Sequence, residues 1–143
     1  VHNEPFCFKD PRFCYTLDIW RQKSPNSKYI MIFRNPSDVV TSILNEIKTM
    51  PYLYNFSLSV NTAFETWRAI NQYPLINFTK TGDWLFVQYE DLFLSETLDR
   101  IEKFTKTRID RNFPDKNLNR SKSELKIDNL TQKLYDELKE RTL

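Results

Sequence analysis

The sequence predicts an α/β domain with a mostly parallel sheet, and three observations lead there. Three short runs read as strands: "PFCFK" (5–9), "KYIMIFR" (28–34) and "WLFVQY" (84–89). The last two are apolar on both faces, as expected of strands sandwiched between helical layers. Apolar residues recur at helical spacing in the segments between and after them. Strands and helices therefore alternate, which is the order of parallel βα units.

The elements follow in chain order. The run 5–9 is short and apolar. A helical pattern over about 13–23 links it to 28–34. The next helix starts at Asn35-Pro36, with Asn as cap and Pro at the favoured first position. Asp38 falls where a capping box puts its acid. Val39, Val40, Ile43, Leu44 and Ile47 form its apolar stripe. A third helix is expected from about Leu58 to Tyr73, with Phe64, Trp67 and Ile70 as core residues and Pro74 breaking or kinking it. After 84–89, "LSETLDRIEKFTK" turns Leu98, Ile101 and Phe104 inward. Residues 108–124 read as loop, and "IDNLTQKLYDELKERTL" closes the chain as an amphipathic helix.

Composition narrows the function. The chain has 143 residues, 40% hydrophobic and 15% aromatic, which suits one domain spanning 1–143 with a real core. Lys and Arg total 21 against 19 Asp and Glu, a net charge of +2 that suggests no nucleic-acid surface. Apolar runs fall far short of the roughly 20 residues a membrane helix needs. No signal peptide is visible and the first residue is Val1, so the chain is expected to be a processed or excised piece of a longer one. There are 2 cysteines, Cys7 and Cys14, and 1 histidine. That is too few for a disulfide framework or a metal centre, and the expectation is free thiols in a reducing, cytoplasmic setting. The Asn-x-Ser/Thr sites at Asn55, Asn77, Asn119 and Asn129 are expected by chance and would matter only in a secretory compartment such as the Golgi lumen. Glycine occurs once, at Gly82; average usage of roughly 7% would give about ten. Glycine-rich phosphate loops are thereby excluded from this sequence, which counts against a kinase-like phosphotransferase.

In open α/β sheets, ligands bind beyond the carboxyl ends of the strands. Here those ends carry Lys9-Asp10-Pro11-Arg12, Arg34-Asn35 and Tyr89-Glu90-Asp91. Arg34 precedes a helix N-terminus, where free N–H groups and the helix dipole favour an anion. Its planar fork matches phosphate. Ser42 lies eight residues on, about 100° around the helix from Ile43 at the centre of the buried stripe. The same residues admit plainer readings. Arg34 then pairs with Asp10, Asp38 or Asp91 as a surface cation, and Ser42 merely flanks the stripe.

"KYIMIFRNPSDVVTSIL" resembles the 3′-phosphate-binding segment of the sulfotransferases, an apolar strand leading into Arg-Asp/Asn-Pro-x-Asp-Val with a Ser eight residues after the Arg. Two further segments agree in order. "FKDPRFCYTLDIW" is similar to the family's Lys-x-x-Pro region, and "WLFVQYEDL" to the strand carrying Tyr-Glu-Asp-Leu. The resemblance spans residues 8 to 92; the C-terminal third is only loosely family-like.

It implies a P-loop NTPase-like three-layer domain that binds 3′-phosphoadenosine 5′-phosphosulfate (PAPS) or its product PAP. It further implies transfer of the sulfuryl group, without a metal, to a hydroxyl or amine of a small-molecule or carbohydrate acceptor. Arg34 and Ser42 would hold the 3′-phosphate and Tyr89 the adenine, while Glu90 and Asp91 match the family but also fit a helix cap. Lys9 would stabilise charge near the sulfuryl group. Many cytosolic members carry a His two residues after this Lys; here that position is Pro11. Asp10 becomes the candidate base, against the alternative of a turn-forming Asp before Pro. Arg120 and Lys122, in "NLNRSKSE", occupy a loop that the family often returns to the nucleotide, against the alternative of a solvated loop. The family's glycine-containing 5′-phosphosulfate cradle is expected upstream of Val1. On that reading the chain is incomplete at its N-terminus, nearly inactive alone, and prone to self-association through the uncovered sheet edge. The rival is a non-catalytic nucleotide- or partner-binding module on the same scaffold.

Overall fold

The computed structural model describes residues 6–115, 117 and 122–142. Among them run five α-helices and two strands: α1 (Phe13–Lys23), β1 (Lys28–Phe33), α2 (Pro36–Thr49), α3 (Val60–Asn77), β2 (Asp83–Gln88), α4 (Ser95–Thr105) and α5 (Asn129–Glu140). The class is mixed α/β, and β1 pairs with β2 in parallel, Lys28 opposite Asp83 through Phe33 opposite Gln88.

The predicted strand over 5–9 does not form in its described part. Pro5 lies outside the described residues, and Phe6 to Lys9 have no regular structure. Phe6 and Phe8 are exposed; Phe6 meets Phe8, and Phe8 meets Trp20 of α1, in tilted contacts at 5.3 and 5.4 Å between centroids. An aromatic contact replaces a hydrogen-bonded ladder there.

The sheet packs unevenly. Phe33 and Phe86, with Met31 and Trp84 beside them, face Trp67 and Leu75 of α3 and Leu134, Tyr135 and Leu138 of α5. The opposite face is part open: Val87 is buried, whereas Ile32 is 53% exposed. The expectation of two covered faces therefore holds for one side of β1 only.

A second cluster joins Val40 of α2 to Ala63 and Phe64 of α3, flanked by Leu44, Leu58, Leu125 and Ile127. Helix α3 corrects two expectations. It does not break at Pro74 but runs on to Asn77, with Phe78 N–H still donating to Pro74 O at 2.8 Å. Ile70 is exposed, since the buried stripe passes through Trp67, Asn71 and Pro74 instead. In α4, Leu98 is buried while Ile101 and Phe104 are half-buried.

The only glycine stands where its backbone freedom is needed. Gly82 enters β2 at φ 85°, a left-handed conformation that costs other residues energy. Arg21 of α1 clasps the same turn, donating to Phe78 O at 3.0 Å and to Thr81 O at 3.2 Å.

Candidate nucleotide site

Parallel pairing in register brings the carboxyl ends of β1 and β2 together. Arg34 and Tyr89 are the next residues on each strand. The Arg34 guanidinium carbon lies 5.0 Å from the centre of the Tyr89 ring, a cation–π distance. Tyr89 opens a short 3₁₀ turn, Tyr89–Phe93, whose Phe93 ring meets it edge-on at 5.8 Å.

Two carboxylates flank the guanidinium. Glu90 Oε1 is 3.7 Å from its Nε, and Asp38 Oδ2 is 3.9 Å from a terminal nitrogen. Both distances exceed a hydrogen bond, so these pairs rest on Coulomb attraction. The Arg34 side chain is 20% exposed, so screening by water is incomplete.

The start of α2 is built as the sequence implies, with one exchange. Asn35 Oδ1 accepts from Ser37 N–H at 2.9 Å, the N-cap bond. A capping box would send Asp38 back to Asn35 N–H. Glu90 Oε1 takes that proton instead, at 3.3 Å, from the end of the other strand. Glu90 therefore bridges the two strand ends and does not cap α4, whose N-cap is Leu94 without a side-chain bond. Its Oε2 is buried and makes no hydrogen bond among the described residues.

Asp38 reaches elsewhere. Its Oδ1 accepts from Ser123 N–H at 2.8 Å. Ser37 Oγ donates to Leu125 O at 3.0 Å, and Thr41 Oγ1 to Ser123 Oγ at 2.6 Å. The segment after the basic loop is thus stitched to the first two turns of α2. Sequence reasoning passed over Ser37, Thr41 and Ser123. Their signal was a polar Ser-Asp pair at a helix start that the core then buries. Arg120 lies outside the described residues; Lys122 is exposed, next to Ser123.

Below this group lies Tyr135 of α5, also missed. Its hydroxyl accepts from Gln88 Nε2 at 3.1 Å, and its ring meets Phe33 and Trp67 edge-on. Burial, then the negative charges of Glu90, Asp38 and Asp91, push its phenol up to about 12.

The other predicted residues stand apart. Ser42 is half-buried on α2, one turn beyond Asp38 on the same face, further from Arg34 along the axis. Lys9 is exposed. Asp10 makes a turn into α1: its carboxylate accepts from Arg12 N–H at 2.8 Å and pairs with the Arg12 guanidinium at 2.6 Å, and its carbonyl accepts from Phe13 N–H at 3.1 Å. Those bonds from Arg12 hold the Asp10 carboxyl down at about 2. A general base at neutral pH needs a shift the other way.

Among the described residues, no helix is long and apolar enough to cross a membrane. In comparisons with known proteins, no family model, no curated protein and no solved structure matches this chain.

Proposed function

We propose that the edge formed by Arg34 and Tyr89 binds the 3′-phosphate and adenine of PAPS or PAP, on a sulfotransferase scaffold that serves sulfuryl transfer to a hydroxyl or amine. The observation that carries this reading is one pair. A guanidinium and a tyrosine ring stand 5.0 Å apart at adjoining ends of two parallel strands, in front of a capped helix. The residue types fit the group, a guanidinium for a phosphate and a tyrosine ring for a purine. The Asn35 and Ser37 N–H groups at the helix start are already taken by Glu90 and by the Asn35 side chain. Ser42 would add a hydroxyl one turn up α2. Bound PAPS supplies the sulfuryl group and its phosphate leaving group. This chain's residues hold the nucleotide, with Lys9 offering positive charge to the transferred group. No proton transfer is assigned to Asp10, which Arg12 keeps ionised.

The second reading, a binding module without chemistry, is favoured by the weak basicity of Asp10, whose carboxyl Arg12 holds down at about 2. Turnover of radiolabelled PAPS onto a panel of alcohols and amines would rule out the second reading; on the first, turnover is expected only with the upstream glycine-containing segment present. The binding claim is tested by calorimetry with PAP and with adenosine 5′-phosphate, which lacks the 3′-phosphate. A charge-assisted hydrogen bond is worth about 1.5–3 kcal/mol, so Arg34→Ala is expected to weaken PAP by one to two orders of magnitude. Adenosine 5′-phosphate is expected to be unaffected. Equal weakening of both nucleotides would mean that Arg34 supports the fold and does not read the phosphate.

A further inference from the structure

We infer that Glu90 is the positioning residue of the anion site: it fixes the Arg34 fork and the mouth of α2 through one carboxylate. This rests on the nucleotide reading for its ligand, but the geometry stands on its own. Glu90 Oε1 meets two donors of the β1–α2 corner, Arg34 Nε at 3.7 Å and Asn35 N–H at 3.3 Å. Those donors belong to consecutive residues, and the acid comes from the other strand, 55 positions away. Asp38 engages a different nitrogen of the same guanidinium, 3.9 Å away. An arginine addressed at two nitrogens by acids from two elements has little freedom to swing about its side chain. Side-chain ordering of this kind lowers the entropy lost on binding.

The N-cap contact makes the role specific. Asn35 both caps α2 through its side chain and yields its own N–H to Glu90. Holding Asn35 sets where the first turn of α2 points. A carboxylate that only neutralised Arg34 would not need to touch the backbone of the next residue. One that only capped a helix would not reach Arg34.

The position has an electrostatic consequence that gives the test its sign. A negative charge this close also repels an incoming phosphate. Positioning and repulsion therefore act oppositely on PAP affinity, and substitution tells which dominates. Glu90→Gln keeps an oxygen for Asn35 N–H but removes the charge that attracts the Arg34 guanidinium. Glu90→Ala removes both.

The experiment uses the whole chain, with calorimetry against PAP and adenosine 5′-phosphate and ¹⁵N spectra of the Arg34 Nε–H group. Loss of one hydrogen-bonding contact to a charged group predicts that Glu90→Ala weakens PAP by about tenfold or more. Glu90→Gln is expected to restore only the part that rests on the Asn35 N–H bond, with adenosine 5′-phosphate unchanged throughout. The Arg34 Nε–H signal is expected to be sharp and slow to exchange in the native chain, where the group is buried, and broadened in both Glu90→Gln and Glu90→Ala, which remove the attracting charge. Tighter PAP binding in both variants would overturn the proposal and identify Glu90 as a competing anion. So would an unchanged Arg34 signal in Glu90→Ala, or a loss shared equally by both nucleotides. If the native chain fails to prefer PAP while the Arg34 signal still depends on Glu90, the nucleotide reading falls and the positioning role stands.

Discussion

Replacing Asp38 by alanine tests how firmly the C-terminal part of the chain is fastened to the site. The carboxylate is 12% exposed and accepts from Ser123 N–H at 2.8 Å. Removing it strands a partly buried donor, at a cost of about 1–3 kcal/mol. It also removes an acid from the first turn of α2, worth about 0.3–1 kcal/mol through the helix dipole. Because water can reach the Ser123 segment in part, the lower half of the first range applies, and the sum is about 2 kcal/mol. Asp38→Asn keeps an acceptor for Ser123 and should cost under about 1 kcal/mol. Urea unfolding measures the stability change, and hydrogen exchange at the Ser123 amide locates it. If Asp38→Ala changes stability by no more than about 0.5 kcal/mol, as an ordinary surface substitution would, and the Ser123 amide stays protected, the fastening described above is wrong.

Three further outcomes are expected. Asp10 is held at about 2 against an ordinary 3.8, so its contribution to stability is complete above 3.8 and is lost as pH falls through about 2; an NMR titration of its carboxyl should show this, and Arg12→Ala should move the midpoint back toward 3.8. Lys106 sits at φ 58° behind α4, so Lys106→Gly should stabilise by about 0.5 kcal/mol, the relief of left-handed strain less the added freedom of the unfolded chain; an unchanged or lower urea midpoint would contradict this. Gly82→Ala should destabilise by about 1–2 kcal/mol, because φ there is 85° and the new Cβ would lie 3.2 Å from Tyr29 Cε2; thermal unfolding reads it.

What the sequence disclosed follows from which interactions are local. The caps and apolar runs of β1, α2 and β2 are short-range signals, so Asn35, Pro36 and the parallel pairing of β1 with β2 could be reasoned out from the sequence. Arg34 was marked by an ionic residue closing an apolar run, and its pairing with Asp38 was among the readings weighed. The rest depended on distant partners. Nothing near Phe8 says that its ring will rest on Trp20 and not enter a ladder. Nothing near Glu90 says that it will take the proton a capping box reserves for Asp38. Ile70 is exposed, against its expected burial, because the partners of α3, which are α1, α2 and α5, set its rotation. Ser123 was hidden in a polar stretch whose value lies in one backbone N–H.

The Ser123–Asp38 bond spans 85 positions, and that span has a consequence for biosynthesis. A ribosome adds about 5–20 residues per second, so Asp38 precedes its partner by roughly ten seconds. During that interval β1 and α2 can form, and β2 can dock with Glu90. The stitch across the first turns of α2 must wait. Contacts this remote in sequence also close slowly once both partners exist. The β1–α2 corner is therefore among the last parts of the molecule to mature. A premature stop before Ser123 would release a chain that lacks this stitch and also α5, so the face of the sheet that Leu134, Tyr135 and Leu138 cover would stand open too.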